Sequence, residues 1–546
     1  MRVASDKLFS YALWIIVLVA LVPRLLLGAH QFIHYDGYWH VFIATQDRWA
    51  LFFSEWRKDA HPLLFYLLLR YVARLGHSHL VYRSICIFPG VGSVFLIGQI
   101  ARRLLRSRII ALLAAAAFGF SITMIDMSCD VRGYPLALFL VLCAFLFFLD
   151  LFVDFSQARI NRALLWFGIF SSLAISTEYY AVFFWLACLI AVLVCALRYP
   201  AFREAVVKRL AANRRSALGS IALVLCIVAA LYFTHVRYQP TTENNVSQFY
   251  FQAGDSLLRF LSSGLRSDLN YFLPVEIAST AAMIALFLSG LFLLFYLVFL
   301  HSGNERQVAA TTPALIFFLL LSELILLSLV RRYPFGGYVR QQSILFPFLL
   351  LTGFVILDRS VGLFRNFSIR NTLLITVAIL IAVNFSYRWR KFPKISEELF
   401  TREYNTFRTN LSRAEIVYVD QFSLIAYYIH TYSWKWQFTK HVPGNEKVDA
   451  YLTTSPSGEQ QMILRNKDEW NFDLLDPKFY FVLADSLRTA QVKSANLFFL
   501  KQMAKPDRAS VDSDVQTIRD QAARFQLAAD PIVYRNTEAY ATFRLK

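Results

Sequence analysis

The sequence predicts a polytopic α-helical membrane protein with about 11 transmembrane helices, interfacial helices in the first outer loop, and a C-terminal soluble α/β domain. Three observations carry this. Of the 546 residues, 57% are hydrophobic and only 17% charged, too apolar and too long for one soluble core. The 51 Phe, 27 Tyr and 10 Trp form the aromatic surplus found where protein meets the bilayer interface, and 16 Pro and 20 Gly are too few for a disordered or collagen-like chain. Apolar runs with few or no charges, long enough to cross ~30 Å of hydrocarbon, recur up to residue 388 and then stop.

In order, the runs lie near 8–28, 84–101, 109–126, 133–150, 163–178, 179–197, 216–236, 276–300, 312–330, 341–357 and 371–387. The first follows Arg2 and Lys7 as a signal sequence would, but it leads into an aromatic loop with no small-residue cleavage site, so it reads as a retained anchor. The string HPLLFYLLLRYVARL (61–75) is apolar but short and carries Arg70 and Arg74. Charge decides its place. If it does not span, the inner-side segments 1–7, 102–108, 155–162, 198–215, 301–311 and 358–370 hold 18 Lys+Arg in 64 residues. If it spans, the clusters at Arg102–Arg108 and 198–215 fall outside, against the positive-inside tendency. Residues 31–79 therefore read as short amphipathic helices at the outer interface. The expected organisation is a transmembrane domain over 1–388, with its first outer loop at 29–83, and an outer-face domain over 389–546. The N-terminus is expected in the cytoplasm and the C-terminal domain in the periplasm of a bacterium.

After Arg388 the short β-rich strings EIVYVD (415–420) and KFYFVLAD (478–485) alternate with helical ones, and Asp420 leads directly into QFSLIAYYIHTY. Strand followed by helix favours a small α/β domain. The six cysteines all fall in or beside apolar segments, which excludes a disulfide framework and a zinc CxxC pair. There is no internal duplication, which counts against a transporter. The net charge of +18, from 55 Lys+Arg against 37 Asp+Glu, points in a membrane chain to an anionic leaflet or an anionic lipid-linked substrate rather than to nucleic acid.

With this topology, five loops of unusual chemistry open on one side. They are Tyr35-Asp36-Gly37-Tyr38-Trp39-His40, Asp59-Ala60-His61-Pro62, Asp130-Val131-Arg132-Gly133-Tyr134, Thr177-Glu178-Tyr179-Tyr180 and 331–342. Polar groups at helix ends beside hydrocarbon are costly unless paired or wetted, so the five imply a shared cavity, either a transport path or an active site. Asp36 is a candidate general base for a hydroxyl acceptor, or a loop residue capping the next helix. Asp59 is a second candidate acid or an N-cap. Arg132, Arg331, Arg332 and Arg340 are candidates for gripping phosphate through paired charge-assisted hydrogen bonds, or are arginines snorkelling at helix ends. Tyr134, Tyr333 and Tyr338 add neutral donors. Glu178 is a hairpin tip or a cavity acid. Tyr35, His40, His61 and Tyr179 complete the polar lining. No metal-ligand spacing is present, so no cofactor is expected, although two Asp and several His leave room for a divalent cation.

Taken together, HPLLFYLLLR (61–70), RGYPLALFL (132–140), TEYYAVFF (177–184) and RRYPFGGYVRQQSILFPFLLL (331–351) resemble a GT-C membrane glycosyltransferase. The pattern is most similar to the protein O-mannosyltransferase and lipid A aminoarabinose transferase group, and it covers residues 1–388. The resemblance implies a GT-C fold and transfer of one sugar from a polyprenyl-phosphate donor to an acceptor at the outer membrane face. It implies Asp36 as the carboxylate that activates the acceptor and Asp59 as the second acid near the interfacial helices. Arg132 and Tyr134 match the family string before the fourth span, and Arg340 matches the late basic residue associated with the donor phosphate; all three are expected to bind the donor, with Arg331, Arg332 and Tyr338. Two departures, Asp36-Gly37 in place of an Asp-Glu pair and Glu178 in place of a histidine, shift the expected acceptor from protein to lipid or polysaccharide. The rival expectations are a flippase or transporter of a polyprenyl-linked glycan, a metal-dependent oligosaccharide transferase, and a structural or sensor protein.

Overall fold

The computed structural model describes residues 2–31, 33, 35–153, 157–239, 249–252, 254, 256–272, 305–364, 366–392, 416–419, 421–431, 434–442, 445–466, 477–489, 494–500, 508–529, 533–535 and 538–546. The chain divides into two compact units. The first comprises Met1–Ala29, Trp56–Leu69 and Arg83–Lys394; the second comprises His30–Glu55, Arg70–Tyr82 and Ile395–Lys546. The first outer loop is therefore shared: its central stretch clusters with the helices, its two flanks with the C-terminal sheet.

The first unit is helical. Its long elements are α1 (Arg2–His30), α5 (His79–Leu104), α8 (Tyr134–Val153), α9 (Gln157–Thr177), α10 (Ala181–Arg198), α12 (Arg214–Thr234), α14 (Glu305–Leu329), α16 (Leu345–Val361) and α17 (Phe367–Lys391). Among the described residues, eight helices are long and apolar enough to cross a membrane, and nine if a bent pair counts as one. They match nine of the expected runs. The run at 276–300 lies outside the described residues. The run at 341–357 is shifted: a four-residue helix α15 (Val339–Gln342) and a turn at Ser343–Ile344 take its first residues, leaving α16 with 17 residues. That is the short end of what crosses the hydrocarbon. Phe145 and Phe184 pack on Phe348 of α16 at ring distances of 5.1 and 5.7 Å, forming an aromatic core among α8, α10 and α16.

The run at 109–126 is not one straight span but α6 (Arg108–Gly119) and α7 (Ile122–Cys129), bent by 50° at Phe120–Ser121. A break frees backbone carbonyls, which have no water to bond within hydrocarbon. One fully buried arginine supplies a donor at the break, and a second serves the far end of α7. Arg24 of α1 donates from Nη1 to the Gly119 carbonyl at 2.9 Å and from Nε to Ser128 Oγ at 3.3 Å. Arg83 of α5 donates to the Cys129 carbonyl and, at 2.7 Å, to the Gly28 carbonyl. On the other side of the unit, Asp358 of α16 accepts from the backbone N–H groups of Arg106 and Ser107, fixing the turn between α5 and α6.

Between α1 and α5 lie α2 (Tyr35–Ala44), α3 (Trp49–Trp56) and α4 (Leu63–Val72) with its one-turn extension Ala73–Leu75. None exceeds ten residues, so none is long enough to span.

The second unit contains a mixed sheet of β1 (Ile416–Val419), β2 (Lys435–Val442), β3 (Asn445–Thr454), β4 (Gln460–Asn466), β5 (Ser494–Leu500), β6 (Leu527–Ala529), β7 (Val533–Arg535) and β8 (Glu538–Leu545). The order is β2-β3-β4-β1-β5-β8-β6, with β7 on β8. β1 is parallel to β4 and β5, and the other pairs are antiparallel. The helices are α18 (Gln421–Thr431), α19 (Pro477–Thr489) and α20 (Arg508–Arg524). EIVYVD holds β1 as expected, and the following string forms α18. KFYFVLAD corrects the sequence reading: it lies in α19, not in a strand. Its buried residues, Tyr480, Leu483, Ala484 and Leu487, recur every three or four positions, and Pro477 occupies the first helical position. The local β propensity of Phe and Tyr lost to that period.

Candidate active site

In the first unit, four of the five polar loops meet. The Asp59–Pro62 loop approaches the α9–α10 hairpin, where only Glu178, Tyr179 and Tyr180 separate two helices. The Glu178 N–H still completes α9 by bonding the Ala174 carbonyl, and its own carbonyl accepts from Ala181, so the side chain is fixed by helix geometry on both sides. Its carboxylate is buried, 4% exposed, and Oε2 lies 3.1 Å from His61 Nδ1. Glu178 is thus both hairpin tip and interior acid. Its Oε1 is buried with no hydrogen-bond partner among the described residues. Gly133 is what makes room for it, since a Cβ there would stand 2.6 Å from Oε1 and 3.1 Å from the Thr177 carbonyl.

Asp59 Oδ2 accepts the backbone N–H of His61 at 3.1 Å, an Asx turn that leads into α4, and it accepts the Tyr66 hydroxyl from one turn inside that helix. Asp59 therefore shapes the loop that presents His61 rather than capping α4 directly. The Tyr134 ring stands edge-on to His61 at 5.7 Å and stacks in parallel on Tyr180 at 6.0 Å. Arg132 is buried beside Tyr134 and paired with Asp130 at 3.3 Å. Tyr179 bonds His235 at the end of α12, and His235 stacks on Trp56 at 4.4 Å.

Burial and charge set the titration here. Burial alone would lower the His61 pKa, but the Glu178 carboxylate that it bonds, with Asp59 behind it, outweighs burial and the Arg132 charge, and raises it above 6.5. Burial raises Tyr66 well above its ordinary value, and the Asp59 and Glu178 carboxylates add to that. Tyr179, Tyr180 and Tyr333 are raised by burial too, each with Glu178 among the further causes. These phenols stay protonated and act as donors.

The 331–342 loop enters the cluster through Tyr333, which meets Phe183 edge-on at 5.6 Å, rather than through its arginines. Arg331 is exposed in a left-handed conformation at φ 56° and donates to the Phe251 carbonyl; Arg332 is exposed; Arg340 lies over the Tyr338 ring at 4.5 Å. Gly336 takes φ 68° where its α-carbon backs onto Gly264 of α13 (Leu257–Phe272), and that contact turns the loop. The fifth loop belongs to the second unit. Tyr35 begins α2, Asp36 is half-buried in its first turn, and His40 is buried one turn later.

Sequence reasoning missed Tyr66 and His235. Tyr66 is hidden in an apolar helix string, and His235 sits at the end of a span, 56 residues from the tyrosine it bonds. Only the spacing from Asp59 to Tyr66 was readable locally.

No family model matches the chain, and no curated protein sequence matches it. Solved structures do. ArnT from Cupriavidus metallidurans bound to undecaprenyl phosphate aligns over 99% of this chain and 98% of its own, at 12% identity and a TM-score of 0.52. This chain has the GT-C fold. The apo state of the same ArnT gives equal coverage, 13% identity and a TM-score of 0.51. The S. cerevisiae protein O-mannosyltransferase Pmt1-Pmt2 complex bound to the sugar donor matches 41% of this chain against 34% of its own, at 18% identity and a TM-score of 0.33.

Proposed function

We propose that the protein is an inverting glycosyltransferase of the membrane that moves one sugar from a polyprenyl-phosphate donor to a hydroxyl of a lipid or glycan acceptor at the outer face. The reading is carried by the buried cluster of acid, imidazole, phenol and guanidinium at the loop ends, on a fold shared over its full length with a protein solved with undecaprenyl phosphate. A flippase would use the same polar groups without a proton acceptor. The joined Asp59, His61, Tyr66 and Glu178 form acid–base machinery of the kind that group transfer uses.

In this mechanism the acceptor oxygen attacks the anomeric carbon as the bond to the phosphate oxygen breaks, and Asp36 takes the acceptor proton. The departing phosphate gains charge, which Arg331, Arg332 and Arg340 bind with bidentate forks and the Tyr338 hydroxyl with a neutral bond. Arg132, held by Asp130, contributes positive potential from within the cluster, and Tyr134 lines its wall. The free oxygen of Glu178 accepts a hydroxyl or amine of the substrate, flanked by His61 and Tyr179. Tyr35 and His40 serve the acceptor beside Asp36. The test is transfer from a radiolabelled polyprenyl-phosphate sugar by purified protein. Asp36→Asn is expected to cut the rate by roughly 10²- to 10⁴-fold with donor KM retained. Full transfer by that variant would remove Asp36 from the role of base.

A further inference from the structure

We infer that the C-terminal sheet holds α2 in place and so positions Asp36, with the Glu55–Arg465 pair as the positioning residues. The inference rests on the reading of Asp36 as base. All the contacts that carry it lie within the second unit.

Arg465 stands on β4 with its side chain fully buried, and its Nη2 donates to Glu55 Oε2 of α3 at 2.9 Å; the Glu55 side chain is 2% exposed. Two buried charges 410 residues apart are costly to desolvate, and such a pair is better explained by the arrangement it specifies than by stability. Burial would lower the Arg465 pKa, but Glu55 outweighs it and keeps the guanidinium charged. The same guanidinium lies 5.7 Å from the Phe42 ring of α2, and Phe42 fills a box of Tyr428, Trp436 and Tyr451 from α18, β2 and β3. Thr45 Oγ1, just past α2, hydrogen-bonds the Tyr428 hydroxyl at 3.0 Å. Arg48 covers Phe438 of β2 at 5.6 Å.

The far end of α2 is closed as well. Arg70 donates to the Ala44 carbonyl at 3.0 Å and to the Gln46 carbonyl, and lies over the Trp49 ring at 4.4 Å. The Ala44 carbonyl is one that the end of α2 leaves without a helical partner, and the Gln46 carbonyl belongs to the turn that follows. Tyr38, two residues after Asp36, bonds His79 at 2.8 Å. A ten-residue helix is marginal alone in water, so α2 takes its order from these contacts. The C-terminal sheet and its helix α18 together contribute most of them.

The experiment uses the full-length protein in detergent, with hydrogen exchange of α2 and α3 read beside donor kinetics. Glu55→Gln keeps the shape and removes the charge. The expected result is faster exchange across α2, unchanged protection in α8–α10, and kcat lowered roughly 10- to 100-fold with donor KM unchanged, as small misplacements of a catalytic group produce. Unchanged α2 protection, or faster exchange with kcat intact, would overturn the inference. Should Glu55→Gln fail to fold, the paired Glu55→Met/Arg465→Met variant, which replaces the ions by an apolar contact, is read by the same two measurements. Asp36→Asn run in parallel separates the readings: if it transfers normally, the base assignment falls, and the exchange data alone decide whether the sheet holds α2.

Discussion

Glu178→Gln tests the centre of the cluster. The substitution conserves shape, and a glutamine can still bond His61 Nδ1 across the 3.1 Å that separates the pair. What it removes is charge. A hydrogen bond to a charged group contributes about 1.5–3 kcal/mol against about 0.5–1.5 for a neutral one, so the loss is about 1–2 kcal/mol. Surface screening does not discount it, because the two side chains are only 16% and 5% exposed. A larger penalty, of the kind seen when a buried charge loses its partner, is avoided because the imidazole can release its proton. The sign of the pH dependence follows. His61 has a folded pKa raised above 6.5, so its contribution is fully present below about pH 6.5 and fades as pH rises through the folded value. Thermal unfolding of wild type and variant in detergent, followed by tryptophan fluorescence from pH 5.5 to 9, is expected to show the variant about 1–2 °C less stable in acid, with the gap narrowing at alkaline pH. A gap that stays constant or widens with pH would show that His61 does not carry the charge assigned to it.

Two more substitutions test the surroundings. Gly133→Ala places a methyl 2.6 Å from Glu178 Oε1 and 3.1 Å from a backbone oxygen, so about 1–3 kcal/mol of stability should be lost and the pH dependence of unfolding flattened as the carboxylate leaves His61; a Tm and pH profile equal to wild type would contradict the packing. Arg24→Met removes the donor to the Gly119 carbonyl at the α6–α7 break, which should cost about 1–3 kcal/mol and lower the yield of monodisperse protein in size-exclusion chromatography, whereas an unchanged Tm would mean that the break needs no such donor.

How much was legible depended on the range of the interaction. Membrane spans are written locally, because about 20 apolar residues in succession mean the same thing wherever they occur. The break at Phe120–Ser121 was not legible, since the group that bonds its freed carbonyl, Arg24, comes from a helix 95 residues away along the chain. Charge inside the first span was visible, yet nothing local tells a snorkelling arginine from one that satisfies a distant carbonyl. KFYFVLAD was misread for a related reason: propensity weighed residue types, while burial at Tyr480, Leu483, Ala484 and Leu487 follows the helical period.

The site shows the same division more sharply. The loops at 59–62, 130–134, 177–180 and 331–342 could be grouped from topology alone, because charge bias puts their helix ends on one side and the cost of bare polar groups brings them together. Which side chains would pair was beyond that logic. Glu178 finds His61 from 117 residues away, and Tyr333 rather than an arginine carries its loop into the cluster. The first outer loop is the extreme case. A single sequence segment, 29–83, supplies His61 to one unit and Asp36 to the other, because Phe42 and Glu55 have their partners on α18 and the sheet, more than 380 residues later. Hydrophobic pattern made that segment a row of interfacial helices, and they are helices. Their allegiance is set by one buried guanidinium on β4 and by the box of rings around Phe42, and that is why the proposed base answers to the C-terminal domain.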